Sequence, residues 1–153
     1  MLQRIRERSQ SESGFTLVEL LVVMLILGIL AAIAIPSFFN QRDKARDSDA
    51  KADARTAQTA IETYATDNGG SYTGAAVGAV GTPGTLVDIE PTLADAAARM
   101  TLGGLGARTY TITVDSVNTP NTFTISRAAN GSTSLTCDVD GSDGCPTDGT
   151  WSD

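Results

Sequence analysis

The sequence predicts an α+β chain: a long amino-terminal α-helix, with a transmembrane half and an amphipathic half, packed on a small antiparallel β-sheet head. Three observations predict it. No polar side chain interrupts Leu20 to Ile35; beyond Pro36 the apolar or small residues Ala50, Ala54, Ala57, Ile61 and Tyr64 recur at helical spacing; and after Thr109 strand formers alternate with a period of two. A length of 153 residues allows one modest core. The chain has no His, which removes imidazole-based triads and zinc-hydrolase centres. It also lacks a clustered nucleophile and base, and a phosphate-binding Gly loop before a helix, so no enzymatic activity and no cofactor are expected.

Residues Met1 to Ser13 are polar, with Arg4, Arg6 and Arg8 against Glu7 and Glu12. The 25 residues from Phe15 to Phe39 would span roughly 37 Å as a helix, enough for a bilayer core of about 30 Å. The basic flank orients the segment with Met1 in the cytoplasm and the body outside. Glu19 is anomalous there, because a carboxylate inside an apolar span costs on the order of 2.5 to 3.5 kcal/mol unless paired or neutral. No Lys, Arg or His lies between Phe15 and Asn40 to pair with it. Cleavage between Gly14 and Phe15 would create a partner, a free α-amino group on Phe15. In a stack of parallel helices each Glu19 could instead meet the amino terminus of a neighbour, turning a costly residue into an assembly register.

The run Gly14-Phe15-Thr16-Leu17-Val18-Glu19-Leu20, continued by Val22-Val23-Met24 and by Gly28 through Pro36, resembles the type IV pilin signature without a gap from Gly14 to about Phe39. That resemblance implies cleavage after Gly14 by a membrane aspartyl prepilin peptidase, N-methylation of Phe15, and a role for Glu19 in subunit recruitment. It divides the chain into a cleaved leader (1–14), a transmembrane and filament-core half-helix (15–39), an amphipathic half-helix (40–68) and a globular head (69–153). The implied function is that of a structural subunit of an extracellular type IV pilus, serving adhesion, motility or DNA uptake. The alternative is a pseudopilin of a type II secretion or competence system. The implied partners are other copies of the chain, the prepilin peptidase, the inner-membrane pilus assembly machinery, and the cytoplasmic membrane before export into the filament. A secretory signal peptide cut near Ala32-Ile33-Ala34 and an uncleaved signal-anchor compete with this reading, and both leave Glu19 unanswered.

Pro36 lacks an N–H and clashes with the carbonyl of Ala32, so a bend is expected there, with Gly28 as a second weak point. In the pilin family the corresponding stretch can unwind in filaments; ordinary membrane-helix tolerance of Gly and Pro is the plainer reading. One helix is expected from about Phe15 to Asp67, closed by Asp67-Asn68-Gly69-Gly70. Charges alternate between Arg42 and Arg55, and Asp47 with Lys51 has the favourable i,i+4 order for a solvated face. Contacts between stacked subunits are the other reading of that row.

Ser71 to Arg108 is rich in Gly, Ala and Thr and reads as loop, with a short helix over Thr92–Arg99 capped by Thr92. Strands are expected from Thr109 through Val114, over Thr122–Arg127 and over Ser132–Cys137, with a turn at Asn118-Thr119-Pro120-Asn121. Cys137 and Cys145 lie outside the membrane on this orientation and are expected to form a disulfide. The bridge closes nine residues counting both ends, worth roughly 2.5 kcal/mol by chain entropy. Asp138, Asp140 and Asp143 inside it suit a hard cation such as Ca²⁺, but the spacing is not an EF-hand, and a plain acidic turn is the simpler reading. Asn130-Gly131-Ser132 matches the glycosylation acceptor pattern, which is short and weakly specific. Without the leader the chain keeps 8 basic and 16 acidic residues, so no direct attraction to nucleic acid is expected. No Cys-x-x-Cys-His occurs, which excludes covalent c-type haem.

Overall fold

A computed structural model describes residues 14–138, 141 and 143–151. The elements are helix α1 (Leu17–Asp67), a one-turn helix α2 (Leu86–Ile89), two 3₁₀ turns (Pro91–Asp95 and Ala97–Arg99), and strands β1 (Met100–Gly103), β2 (Tyr110–Asp115), β3 (Thr122–Arg127) and β4 (Thr133–Cys137). The chain divides into two compact units between Phe39 and Asn40.

In the first unit α1 leaves its large apolar side chains uncovered: Leu17, Ile33 and Phe38 are 72%, 71% and 66% exposed. Its most apolar 18-residue window has a mean hydropathy of 2.9, with none of it buried, so by length and composition it can cross a membrane. The helix continues through Pro36, whose missing N–H withholds the usual donor from the Ala32 carbonyl.

The second unit packs the rest of α1 against a meander in the order β1-β2-β3-β4, antiparallel throughout. The buried stripe of α1 is Asp47, Ala50, Ala54, Ala57, Ala60, Ile61, Tyr64 and Ala65. Alanine dominates it, five of the eight residues. Tyr110, Ile112 and Val114 of β2 and Phe123 and Ile125 of β3 supply the facing layer, and Leu86, Val87 and Leu93 close it from the loop side. The opposite sheet face carries Thr111, Thr113, Thr124 and Ser126, as strict alternation requires. α1 ends in a Schellman motif: Gly69 has φ +67°, and the Gly70 N–H reaches back to the Ala65 carbonyl at 2.7 Å.

Two expectations need correcting. No helix spans Thr92–Arg99 and Thr92 is not its cap; two 3₁₀ turns occur instead, and Glu90 caps the first by accepting from the Thr92 N–H. Pro91 explains the shift, since its fixed φ and absent N–H suit the first helical position one residue before Thr92. The meander also has a fourth strand, β1, which pairs Met100 with Val114 and Leu102 with Ile112. Only two apolar positions precede the Gly103-Gly104 break, too few for a period-two signal.

Glu62 ties the end of α1 to the sheet. Its carboxylate accepts from Tyr72 Oη at 2.7 Å and Tyr110 Oη at 3.0 Å, and pairs with Arg127 Nη1 at 3.3 Å. The two tyrosine rings meet edge to face at 4.8 Å between centroids. Burial pushes the Tyr110 hydroxyl up to about 12, with the Glu62 charge adding to it and a hydrogen bond involving Gln58 opposing it. The consequence is an alkaline instability. In the unfolded chain this tyrosine ionises near its ordinary value of 10.0, so its contribution is complete below that pH. It is lost as pH rises toward the folded value, on the order of 2–3 kcal/mol. Denaturant titrations from about pH 9 to 12 should show that loss in the wild type relative to Tyr110→Phe; parallel curves for the two proteins would contradict it.

Candidate functional site

The amino-terminal site is built at the first turn of α1. Thr16 precedes the helix, and its Oγ1 accepts a hydrogen bond from the Glu19 backbone N–H at 3.2 Å, while its carbonyl receives the Leu20 N–H at 3.2 Å. Thr16 is therefore the N-cap, a role not read from the sequence, although Thr16-Leu17-Val18-Glu19 has the spacing of a capping box and could have revealed it. Gly14 and Phe15 stand just before the cap, outside the helix, with Phe15 81% exposed. Residues 1–13 of the expected leader lie outside the described residues.

This geometry gives Glu19 a local reason to exist, since an acid in the first helical turn interacts favourably with the helix dipole. Magnitudes decide against that as a full account. The dipole contributes about 0.3–1 kcal/mol at an exposed end, whereas placing the charge in an apolar span costs on the order of 2.5–3.5 kcal/mol. The dipole therefore does not offset the cost of a charged Glu19 in an apolar surrounding. Further along, Gly28 has open space where a Cβ would stand, so nothing within this chain demands glycine there.

In the second unit Asp47, expected on a solvated face beside Lys51, is fully buried. It accepts hydrogen bonds from Thr119 Oγ1 at 2.7 Å, Asn121 Nδ2 at 2.5 Å and the Gly144 N–H at 2.8 Å. Lys51 instead donates to the Gly144 carbonyl at 2.7 Å and sits over the Phe123 ring at 5.2 Å. Burial alone would raise the Asp47 carboxyl. The hydrogen bonds from Thr119, Asn121 and the Gly144 N–H outweigh it and hold the group below the ordinary carboxylate range. The buried Ser116 hydroxyl adds to the same effect without reaching full hydrogen-bond geometry. A Cβ on Gly144 would stand 2.5 Å from that of Asp47, so only glycine lets the backbone come this near.

Other charges of the alternating row are also used within the chain. Arg99 pairs with Asp53 at 3.0 Å, and Arg55 lies 5.2 Å over the Trp151 ring. Arg42, Lys44 and Asp49 stay exposed.

Cys137 and Cys145 form the expected disulfide, with Cα atoms 5.9 Å apart. It holds Gly144 against Asp47, and the Trp151 indole N–H closes the tail by donating to the Thr136 carbonyl at 2.9 Å. For a cation, Asp138 spends Oδ1 on the Thr122 N–H at 2.8 Å, and Asp143 adopts φ +50°. Asp140 lies outside the described residues. Among the described residues no three His, Cys, Asp or Glu side chains are grouped to hold a metal ion.

The chain thus joins an apolar helical segment that starts at a Thr cap, with an acid in its first turn, to an α+β head closed by a disulfide. Comparison with known proteins bears on part of the chain. Residues 9–35 match the prokaryotic N-terminal methylation motif. The chain is similar to the type II secretion system core protein G of Pseudomonas aeruginosa, 42% identical over 59 residues, covering 39% of this chain and 42% of that protein. It is similar to the type IV major pilin protein PilA of Myxococcus xanthus, 39% identical over 61 residues, covering 40% of this chain and 28% of that one. With the type IV major fimbrial protein FimA of Dichelobacter nodosus it shares 45% identity over 56 residues, 37% of this chain and 36% of that one. The chain spans about two fifths of the length of the curated relatives it matches. No solved structure matches. The chain thus carries a prokaryotic N-terminal methylation motif, ahead of a pilin-like α+β fold.

Proposed function

We propose that this protein is a non-catalytic structural subunit of an extracellular type IV pilus. It is made as a membrane-anchored precursor, cut between Gly14 and Phe15, methylated on Phe15, and assembled with copies of itself. The observation that carries this reading is Glu19: one carboxylate in the first turn of a helix whose large apolar side chains from Leu17 to Phe39 are all uncovered. Bilayer and filament core are both apolar, so transfer of the helix between them costs little hydrophobic free energy, and the membrane assembly machinery can bias its direction. Gly28 and Pro36 would be where the helix yields as copies pack, Gly28 also permitting close helix approach. Cys137 and Cys145 hold the tail of the exposed head.

The second reading, a pseudopilin of a secretion apparatus, is favoured by the likeness to the core protein G of Pseudomonas aeruginosa. That likeness extends over 59 residues, and the PilA and FimA relatives match over similar lengths, 61 and 56 residues. Mass analysis and electron microscopy of material sheared from the cell surface test both. The pilus reading expects long fibres whose main protein begins at methylated Phe15. The same processed terminus in cells without surface fibres would favour the pseudopilin, and any other terminus would overturn both.

A further inference from the structure

We propose that the head carries an oxyanion site where the end of α1 meets the β3–β4 hairpin. A pocket of about 270 Å³ opens there, lined by Gly70, Tyr72, Arg108, Arg127, Asn130 and Gly131 among others. The chain has 18 acidic against 11 basic residues, yet the charged side chains lining this concavity are both arginines. Their planar guanidinium groups suit carboxylate or phosphate, which they bind through paired N–H donors.

The donors are held in place. Arg127 commits Nη1 to Glu62 at 3.3 Å, and its guanidinium lies 5.9 Å over the Tyr72 ring. Its Nη2 lies 4.0 Å from where a Gly131 Cβ would stand, toward the hairpin. Its Nε–H is buried without an acceptor among the described residues, so the group is under-satisfied by the protein alone. Asn130 is fixed through its oxygen, since Oδ1 accepts from Ser132 N at 3.0 Å and Ser132 Oγ at 2.7 Å. Asn130 lines the same pocket as the arginines, and its Nδ2 is the side-chain group left to donate. Arg108 is exposed and supplies a second positive charge. The site is smaller than most drug-sized pockets, which run from about 300 Å³ upward. The donors that line it suit a small polar ligand with one carboxylate or phosphate group. This assignment does not depend on polymerisation.

The test uses the full-length protein in detergent micelles, following the amide signals of Gly70, Gly131 and the Asn130 side chain by NMR. Inorganic phosphate and galacturonate are titrated separately against chloride at matched ionic strength. Saturable shifts with either anion are expected, and whichever one saturates identifies the source of the group. Arg108→Gln should weaken binding at least about fivefold, the loss of one charge-assisted contact, while Arg42→Gln, on exposed helix, leaves it unchanged. Shifts that chloride reproduces, or equal binding by Arg108→Gln and wild type, would overturn the assignment.

Discussion

Glu19→Gln is expected to abolish filament assembly while leaving the start of α1 intact. Gln fills the capping-box position as well as Glu does, and the Thr16 cap bonds to a backbone N–H that the substitution does not touch. What Gln lacks is charge. If Glu19 answers the amino terminus of a neighbouring copy in an apolar core, leaving that terminus unpaired costs about 3–5 kcal/mol per contact, roughly 10²–10⁴-fold in association. Repeated along a polymer, that leaves no fibres. Thr16→Ala is the matched control. It removes the cap, worth about 1 kcal/mol, and keeps the charge, so fibres should persist at reduced yield. Counting fibres by electron microscopy, with precursor processing checked by mass, separates the two. Normal fibres from Glu19→Gln would mean the residue serves only its own helix.

Asp47→Ala should destabilise the head by about 3–5 kcal/mol, because it strips the buried Asn121 amide and Gly144 N–H of their shared acceptor. Gly144→Ala should cost about 1–3 kcal/mol by forcing the loop away from Asp47. The double variant should lose less than the sum, since both break the same contact. The pH signature is distinct. With its pKa lowered in the folded state, Asp47 contributes stability that is complete above the ordinary value of 3.8 and is lost as pH falls through the lowered one. Asp47→Asn should flatten that acid limb of the stability curve. Denaturant midpoints measured across the acid range, and an acid limb identical to wild type, would refute the role given to this carboxylate.

Much of this architecture could be read from residue order, and the misses have physical causes. The span and its anomalous acid were plain because apolar runs and lone charges are local features. Strands β2 and β3 were plain because alternation over six residues is unambiguous. Asp47 was misjudged because charge spacing paired it with Lys51, while the apolar stripe at Ala50, Ala54, Ala57 and Ile61, continued back by three residues, already put position 47 on the buried face. The partners that make burial tolerable, Asn121 and Gly144, lie 74 and 97 residues away, and no local pattern announces them. The arginine pocket was hidden for the same reason: its members come from three separate stretches of chain.

Asp47 is also the first buried residue met on entering the head from the amino end, and through Gly144 it grips the last stretch of the chain. A tensile load delivered through the helix would therefore reach a fastening between the two extremities of the head before it reached any strand. Peeling would have to begin by tearing that fastening, with the covalent bridge behind it, so the sheet would be sheltered from pulling forces by a clasp rather than by its own ladder.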